Sequence, residues 1–153
     1  MILLYGADTA EKIKEEISGM LSELKGYTPT LGIVRIGSNP SDVSYEKGAV
    51  KKMESLSLNT KVFEFDENIS SDDFIDEFKK INEDDEIDGI LLFRPLPEHI
   101  DEKKVIEVLD ERKDLDGISY KNIAKVFAGD ESGFAPCTAK AVIKILESNN
   151  IEL

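Results

Sequence analysis

The sequence predicts an α/β domain of three layers, with helices on both faces of a mostly parallel sheet. Strand and helix patterns alternate along the chain, which is typical of βαβ units and their parallel strands. The run at residues 89–93 is continuously apolar, as expected of a strand that is covered on both faces. The 153 residues are enough for one core, so residues 1–153 are interpreted as one domain.

Each predicted helix shows apolar residues at three-to-four spacing, and each predicted strand shows an alternating or continuous apolar run. The predicted helices cover residues 8–25, 41–56, 101–110, 120–128 and 138–148, and a further one is opened by Ser70 and Ser71. The predicted strands cover residues 30–36, 61–65 and 89–93.

Residues that favour helix ends and turns set the boundaries between these elements. Gly26 ends the first helix, and Ser41 or Asp42 is expected to lie near the N-cap of the second helix. Ser70 and Ser71, with the acidic residues after them, suit a helix N-terminus. The apolar residues of that helix are expected to face inward: Phe74, Ile75, Phe78 and Ile81. The acidic run at 82–88 is expected to be a solvated loop.

Composition excludes several function classes. The net charge of −13 argues against binding to nucleic acid or to an anionic membrane, since both need clustered Lys and Arg. No apolar stretch is long enough to span a bilayer, and the N-terminus lacks the features of a signal peptide. The only cysteine is Cys137, which fits a reducing cytoplasm, and the only histidine is His99. No metal site is therefore expected.

Three segments with unusual residues lie at predicted strand ends, where ligands bind in parallel sheets. They are 37–45, which ends in Tyr45; 88–97, which contains Pro-Leu-Pro; and 113–117, followed by Pro-Cys-Thr at 136–138. Taken singly, each has an ordinary structural interpretation as a packed tyrosine, a rigid turn or a helix stop. No glycine-rich dinucleotide fingerprint follows any strand.

In this order and spacing, the three segments resemble the N-terminal domain of the bifunctional methylenetetrahydrofolate dehydrogenase/methenyltetrahydrofolate cyclohydrolase family. The resemblance covers nearly the whole chain. It implies an amino-acid-dehydrogenase-like fold, tetrahydrofolate derivatives as substrates, and a homodimer. It also implies that NADP or NAD is bound mainly by a Rossmann domain beyond residue 153.

The resemblance assigns folate-binding roles to particular residues. Tyr45 stands at the family tyrosine that lies along the folate, and its aromatic face suits a flat ring. Asp116 stands at the family aspartate that binds the pterin, because a carboxylate accepts two N–H bonds from an aminopyrimidine edge. Pro95, Leu96 and Pro97 match the wall of the pocket.

Two positions that the family uses for catalysis carry other residues here. Ala49 stands where the family has a lysine, four residues after Tyr45 and so on the same helix face. Phe93 stands where the family has a glutamine. Neither side chain transfers a proton or polarises water. Lys52 and Arg94 are the two cations that are candidates to replace the family lysine, although Lys52 is expected to be an ordinary surface residue.

Three functions remain open at this point. The first is a methylenetetrahydrofolate dehydrogenase domain whose cyclohydrolase activity is doubtful, because hydride transfer depends mainly on positioning two rings. The second is a non-catalytic family member that binds a folate or another flat ligand, or that has a regulatory or structural role. The third is an enzyme that acts on a different substrate in the same cleft.

Overall fold

The computed structural model describes residues 3–152. Helices and strands alternate over most of this length, as predicted. In chain order they are α1 (Ala7–Glu23), β1 (Thr30–Ile36), α2 (Pro40–Ser55), β2 (Asn59–Phe65), α3 (Ser71–Glu83), β3 (Gly89–Leu92), α4 (Glu102–Val108), α5 (Tyr120–Phe127) and α6 (Cys137–Ser148).

The three strands form one parallel sheet in the order β2-β1-β3. Ile36 at the end of β1 pairs with Phe65 at the end of β2, so these strands finish at the same edge. Phe93, just after β3, donates its backbone N–H to the carbonyl of Val34 at 2.9 Å. The carboxyl ends of all three strands therefore share one edge, and the predicted α/β/α fold class is confirmed.

The main core lies between the sheet and helices α3 and α4. The apolar residues that the sequence places on the inner face of α3 are all buried there, as predicted: Phe74, Ile75, Phe78 and Ile81. They pack with Val34 of β1 and with Ile90 and Leu92 of β3. Helix α2 contacts β1 and β2. The first residues of α2 follow the turn after β1, so they lie at the carboxyl edge of the sheet.

The N-cap of α2 lies just before Ser41 and Asp42, the residues that were expected near it. It is Asn39, whose side chain accepts the backbone N–H of Ser41 at 3.0 Å, and Pro40 is the first helical residue. Ser41 and Asp42 lie within the first turn. Proline suits this position because its missing N–H would have no helical partner there. The prediction that Ser70 and Ser71 open α3 is confirmed, since Ser70 is the N-cap and its hydroxyl accepts the N–H of Asp73.

Helix α1 has the predicted extent, but its apolar face stays largely outside the core. Ile13, Met20 and Leu24 are all exposed, and Met20 keeps 64% of its surface. The helix packs instead against α6, where the hydroxyls of Thr9 and Ser148 lie 2.6 Å apart.

The sequence suggested that the acidic run at 82–88 is only a solvated loop, but two of its residues make specific contacts. The carboxylate of Asp88 accepts the Tyr27 hydroxyl and the backbone N–H of Thr30, both at 2.7 Å. Asp84 pairs with Lys61 at 3.2 Å. Two of these acidic residues therefore fix the amino ends of the strands, opposite the carboxyl edge.

Candidate functional site at the carboxyl edge of the sheet

Two of the three predicted ligand-binding segments, 37–45 and 88–97, meet at the carboxyl edge of the sheet, where the segment after β2 joins them. A depression of about 540 Å³, named here the strand-end depression, is lined by Ile36, residues 37–40 after β1, Glu67 and Asn68 after β2, and Pro97 and His99 after β3. Gly37 has a φ of 75°, a conformation that favours glycine, and its N–H donates to the carbonyl of Phe65 at 2.8 Å. This turn directs the chain from β1 into α2.

Tyr45 and Phe93 form an aromatic pair beside this edge. Their ring centroids are 5.4 Å apart and their planes are inclined by 55°. Tyr45 keeps 63% of its surface, so one side of its ring remains available to a flat ligand. Phe93 is half-buried. The two aromatic side chains are therefore in direct contact.

A groove along α2 contains Tyr45 and Ala49. This α2 groove has a volume of about 670 Å³ and is lined by Ser41, Ser44, Tyr45, Gly48, Ala49 and Lys52. Ala49 is half-buried one turn after Tyr45. The structure places Lys52, but not Lys47, among the residues of this groove.

A buried arginine anchors α2 next to Tyr45. Arg35 of β1 is only 3% exposed, and its Nε donates to Glu46, the residue after Tyr45, at 2.9 Å. Its guanidinium also pairs with Glu64 of β2 at 3.0 Å and donates to the carbonyl of Gly37. One side chain therefore joins two strands, the turn and the helix, and it fixes where α2 presents Tyr45.

Asp116 lines a separate depression of about 440 Å³, named here the Asp116 depression. Its other lining residues are Arg94, Ile106, Gly117, Ile118, Tyr120, Ile123, Pro136, Cys137 and Thr138. The guanidinium of Arg94 is held by Glu102 of α4, with Nε 2.8 Å from its carboxylate. Arg94 thus lines the Asp116 depression, and the preceding residue, Phe93, contacts the Tyr45 ring.

Gly117 allows the Pro-Cys-Thr segment to lie against Asp116. It is buried with a φ of 63°, and a Cβ at this position would lie 2.3 Å from the carbonyl oxygen of Phe134. No other residue type fits under that backbone. The thiol of Cys137 then donates to the carbonyl of Leu115 at 3.1 Å. The two distant parts of the family signature therefore meet in space.

A buried hydrogen-bond network holds the loop that carries Asp116. The carboxylate of Asp114, 1% exposed, accepts the backbone N–H of Ser119 at 2.7 Å and the side-chain amide of Asn122 at 2.9 Å. Burial opposes ionisation, but these bonds and the N–H of Ile118 outweigh it and keep the pKa of Asp114 below its ordinary value. Asn122 also accepts the N–H of Phe134 at 3.0 Å, which ties both parts of the depression together.

Cys137 is not arranged as a nucleophile. Desolvation raises the pKa of its thiol, and the nearby negative charge of Asp116 raises it further. A thiol with a raised pKa carries little thiolate at neutral pH, and the thiolate is the reactive form. The cysteine therefore acts as a structural contact beside Asp116.

The structure does not place all the predicted site residues in one cavity. Tyr45 and Ala49 line the α2 groove, Asp116 lines its own depression, and Pro97 lines the strand-end depression. Pro95 is exposed, and Leu96 packs against the main core. Tyr45 and Ala49 lie on α2, Pro95, Leu96 and Pro97 lie in the loop after β3, and Asp116 lies in the loop between α4 and α5.

Sequence reasoning missed three residues that support this site, namely Arg35, Asp114 and Asn122. Asp114 lies inside the Lys-Asp-Leu-Asp-Gly signature, so its position was visible, but its burial was not. A charged residue within the apolar strand 30–36 was the available signal for Arg35. A buried charge needs partners, and those of Arg35 lie on α2, on β2 and in the turn after β1.

Within residues 3–152, no group of three or more His, Cys, Asp or Glu side chains is placed to hold a metal ion. Over the same residues, no helix has both the length and the apolar character that crossing a bilayer requires.

Comparisons with known proteins agree on one family. The family model for the tetrahydrofolate dehydrogenase/cyclohydrolase catalytic domain matches residues 4–116. The curated bifunctional protein FolD of Alkaliphilus metalliredigens is 44% identical over 99% of this chain. A crystal structure of the FolD methylenetetrahydrofolate dehydrogenase/cyclohydrolase from Campylobacter jejuni superposes with a TM-score of 0.92, at 34% identity and over 99% of this chain.

A structure of a 5,10-methylenetetrahydrofolate dehydrogenase from the silkworm Bombyx mori is also similar. It has a TM-score of 0.90 at 28% identity, and 97% of this chain is covered. The chain spans only about half of these proteins: 54% of the Alkaliphilus and Campylobacter chains and 52% of the silkworm chain.

Proposed function

Because the chain belongs to the tetrahydrofolate dehydrogenase/cyclohydrolase family, we propose that it is the substrate-binding domain of a methylenetetrahydrofolate dehydrogenase with weakened cyclohydrolase activity. Residues 1–153 form this domain and bind a tetrahydrofolate derivative. A Rossmann domain that binds the dinucleotide is expected elsewhere in the full-length protein, since the relatives are about twice as long.

The observation that carries the proposal is the placement of Tyr45 and Asp116 on the two sides of the Phe93–Arg94 segment. Tyr45 contacts Phe93, and Arg94 lines the depression of Asp116. The half-buried Asp116 carboxylate is suited to accept two N–H groups from a pterin. The exposed Tyr45 ring is suited to the aminobenzoyl ring of the same molecule.

The residues at positions 49 and 93 should affect the two activities of the family, oxidation and hydrolysis, to different extents. Oxidation of methylenetetrahydrofolate moves a hydride from the one-carbon unit to a nicotinamide, so it needs two rings held face to face rather than an acid or a base. Hydrolysis adds water to the methenyl carbon and opens the ring, which requires proton transfer. Ala49 and Phe93 supply no proton donor or acceptor, so the rate of hydrolysis should fall more than the rate of oxidation.

Over residues 3–152, the turns that follow the strands are not of the kind that binds a dinucleotide, which is expected to be bound mainly by another domain. No strand is followed by a glycine-rich fingerprint, and the helix after β1 begins with Asn39 and Pro40. NADP or NAD, when bound in the full-length protein, accepts the hydride. The contribution of residues 1–153 is to bind the folate and to orient it.

The proposal is tested by measuring both reactions with the full-length protein. We expect NADP- or NAD-dependent oxidation of methylenetetrahydrofolate, together with hydrolysis of methenyltetrahydrofolate that is slow by comparison. Asp116→Asn should weaken folate binding, because an amide cannot accept at both of its terminal atoms. Hydrolysis that keeps pace with oxidation would reject the loss of cyclohydrolase activity.

One observation favours a non-catalytic family member instead. The Phe93 ring covers part of the Tyr45 ring and takes the place of a polar group. If the full-length protein binds tetrahydrofolate but transfers no hydride, this second function is supported. If it neither binds a folate nor transfers a hydride, the second function is also supported, with another flat ligand or a regulatory or structural role in place of folate binding.

The cell context and assembly are also part of the proposal. A single cysteine suits a reducing cytoplasm, and the acidic net charge of −13 makes nucleic acid and anionic membranes poor partners. The family resemblance favours a homodimer for the full-length protein. Sedimentation of the full-length protein measures its oligomeric state directly.

A further inference from the structure

The α2 groove has an aromatic ring at one end and an amine at the other. Tyr45 and Lys52 are seven residues apart on the same helix face, which separates their backbones by about 10 Å along the helix axis. Both line the groove. A ligand that lies along α2 therefore meets first a ring and then a cation.

The residues between these ends leave the groove open. Gly48 and Ala49 occupy the intervening turn, and a Cβ added at Gly48 would meet no atom within 4 Å. Helical side chains lean toward the N-terminus of the helix. The Lys52 side chain can therefore extend over Gly48 and Ala49 toward Tyr45.

The amine of Lys52 is available to an anion. It is exposed, and no carboxylate within residues 3–152 lies at ion-pairing distance from it. Arg94, the other cation considered for this region, pairs with Glu102 and lines the Asp116 depression instead. Lys52 is thus the cation of the α2 groove.

We propose that Lys52 binds the glutamate carboxylates of a folate whose aminobenzoyl ring lies on Tyr45. This assignment rests on the proposed function, because it takes a tetrahydrofolate derivative as the ligand. Lys52 is then a specificity residue for the anionic tail, and it has no role in proton transfer.

The dimensions of the ligand agree with this placement. An extended residue spans about 3.5 Å, so the carbonyl and glutamate units together place a carboxylate roughly 7 Å beyond the aminobenzoyl ring. The remaining distance to the Lys52 backbone is within the reach of a lysine side chain that leans back along the helix. A proton-transfer group, in contrast, must lie within hydrogen-bonding distance of the reacting atom. Lys52 lies too far along α2 for that.

The test compares substrates with and without the tail in the full-length protein. KM and kcat for oxidation are measured with methylenetetrahydrofolate and with methylenetetrahydropteroate, which lacks the glutamate. We expect Lys52→Met to raise KM for the folate about three- to fivefold, the size of an exposed ion pair, and to leave kcat unchanged. The KM for the pteroate should not change.

Two variants serve as controls. Lys47→Met removes a lysine of α2 that does not line the groove, and it should leave both KM values unchanged. Lys52→Arg keeps the positive charge, so it should retain most of the preference for the folate. Added salt should reduce that preference in the unaltered protein and have no such effect in Lys52→Met.

The outcomes separate this inference from the proposed function. An unchanged preference for the folate in Lys52→Met would overturn the tail assignment and leave the proposed function in place. A loss of kcat for methenyl hydrolysis in Lys52→Met would also overturn it, because the amine would then act in proton transfer. An unaltered protein that binds neither substrate would overturn the proposed function and the assignment with it.

Discussion

The backbone of Phe134 lies directly over Gly117, so close that a single added carbon at Gly117 would stand 2.3 Å from the Phe134 carbonyl oxygen. This contact brings the Pro-Cys-Thr segment against the loop of Asp116. The shape of the Asp116 depression therefore depends on one glycine, which gives the first prediction.

Gly117→Ala should destabilise the fold and weaken folate binding. The left-handed backbone and the backbone clash together are expected to lower the free energy of unfolding by about 2–4 kcal/mol. Urea denaturation of the protein measures this change. Gly129→Ala is the matched control, since its φ is 72° but its Cβ would meet nothing within 4 Å, and it should cost only about 1–2 kcal/mol. Equal losses in the two variants would contradict the role given to the Phe134 contact.

Asp114→Asn should remove a pH-dependent part of the stability. Because hydrogen bonds lower the pKa of Asp114 in the folded state, its contribution is present above the ordinary aspartate pKa of about 3.9. It is lost as the pH falls through the lower folded value. The variant should lose about 2–4 kcal/mol at pH 7 and show a smaller further loss on acidification.

Unfolding free energies at pH 7 and at successively lower pH values check this second prediction. The exposed Asp85 provides a control, because Asp85→Asn should change stability by no more than about 0.5 kcal/mol. An Asp114→Asn variant whose acid dependence equals that of the unaltered protein would count against the buried network.

Arg35→Lys should destabilise the protein by about 2 kcal/mol, although it keeps the charge. A lysine cannot reproduce the fork that contacts Glu46, Glu64 and the Gly37 carbonyl together. The KM for folate should rise as well, since α2 carries Tyr45 next to Glu46. Thermal denaturation and steady-state kinetics measure the two effects.

Arg112→Lys is the control for that variant. Arg112 is 83% exposed in its pair with Asp110, so its replacement should change stability by less than about 0.5 kcal/mol. If Arg35→Lys were equally mild, the buried ion pairs would not be what positions the helix.

Asp116→Asn should make Cys137 more reactive. Desolvation raises the thiol pKa and the Asp116 carboxylate adds to it, so removing that charge lowers the pKa and increases the thiolate fraction. The rate of alkylation by iodoacetamide at pH 8 should increase severalfold. Asp130→Asn removes a carboxylate elsewhere and should leave the rate unchanged. An unchanged rate in Asp116→Asn would argue that the two side chains are not neighbours in solution.

The sequence predicts the fold well because the elements are strongly patterned. The alternation of helices and strands, the inward face of α3 and the meeting of the strand ends all follow from apolar spacing and parallel topology. The signature residues Tyr45 and Asp116 were identified by resemblance, and the structure places both near the carboxyl edge.

The remaining features depend on tertiary contacts that local patterns do not encode. The exact N-cap of α2 is Asn39, two residues before Ser41, because Pro40 can begin a helix. Asp88 accepts a hydrogen bond from Tyr27, which lies sixty-one positions away in the sequence. The exposure of α1 and the burial of Arg35 likewise follow from which elements pack together, and periodicity within one element cannot reveal that.

The central claim is that Ala49 and Phe93 remove the proton-transfer step and leave the substrate site in place. The most direct test is the rate of methenyltetrahydrofolate hydrolysis by the full-length protein carrying Ala49→Lys and Phe93→Gln together. We predict a rise of at least about tenfold over the unaltered protein, with methylenetetrahydrofolate oxidation changed little. A double variant that oxidises the folate normally but hydrolyses it no faster would contradict the account.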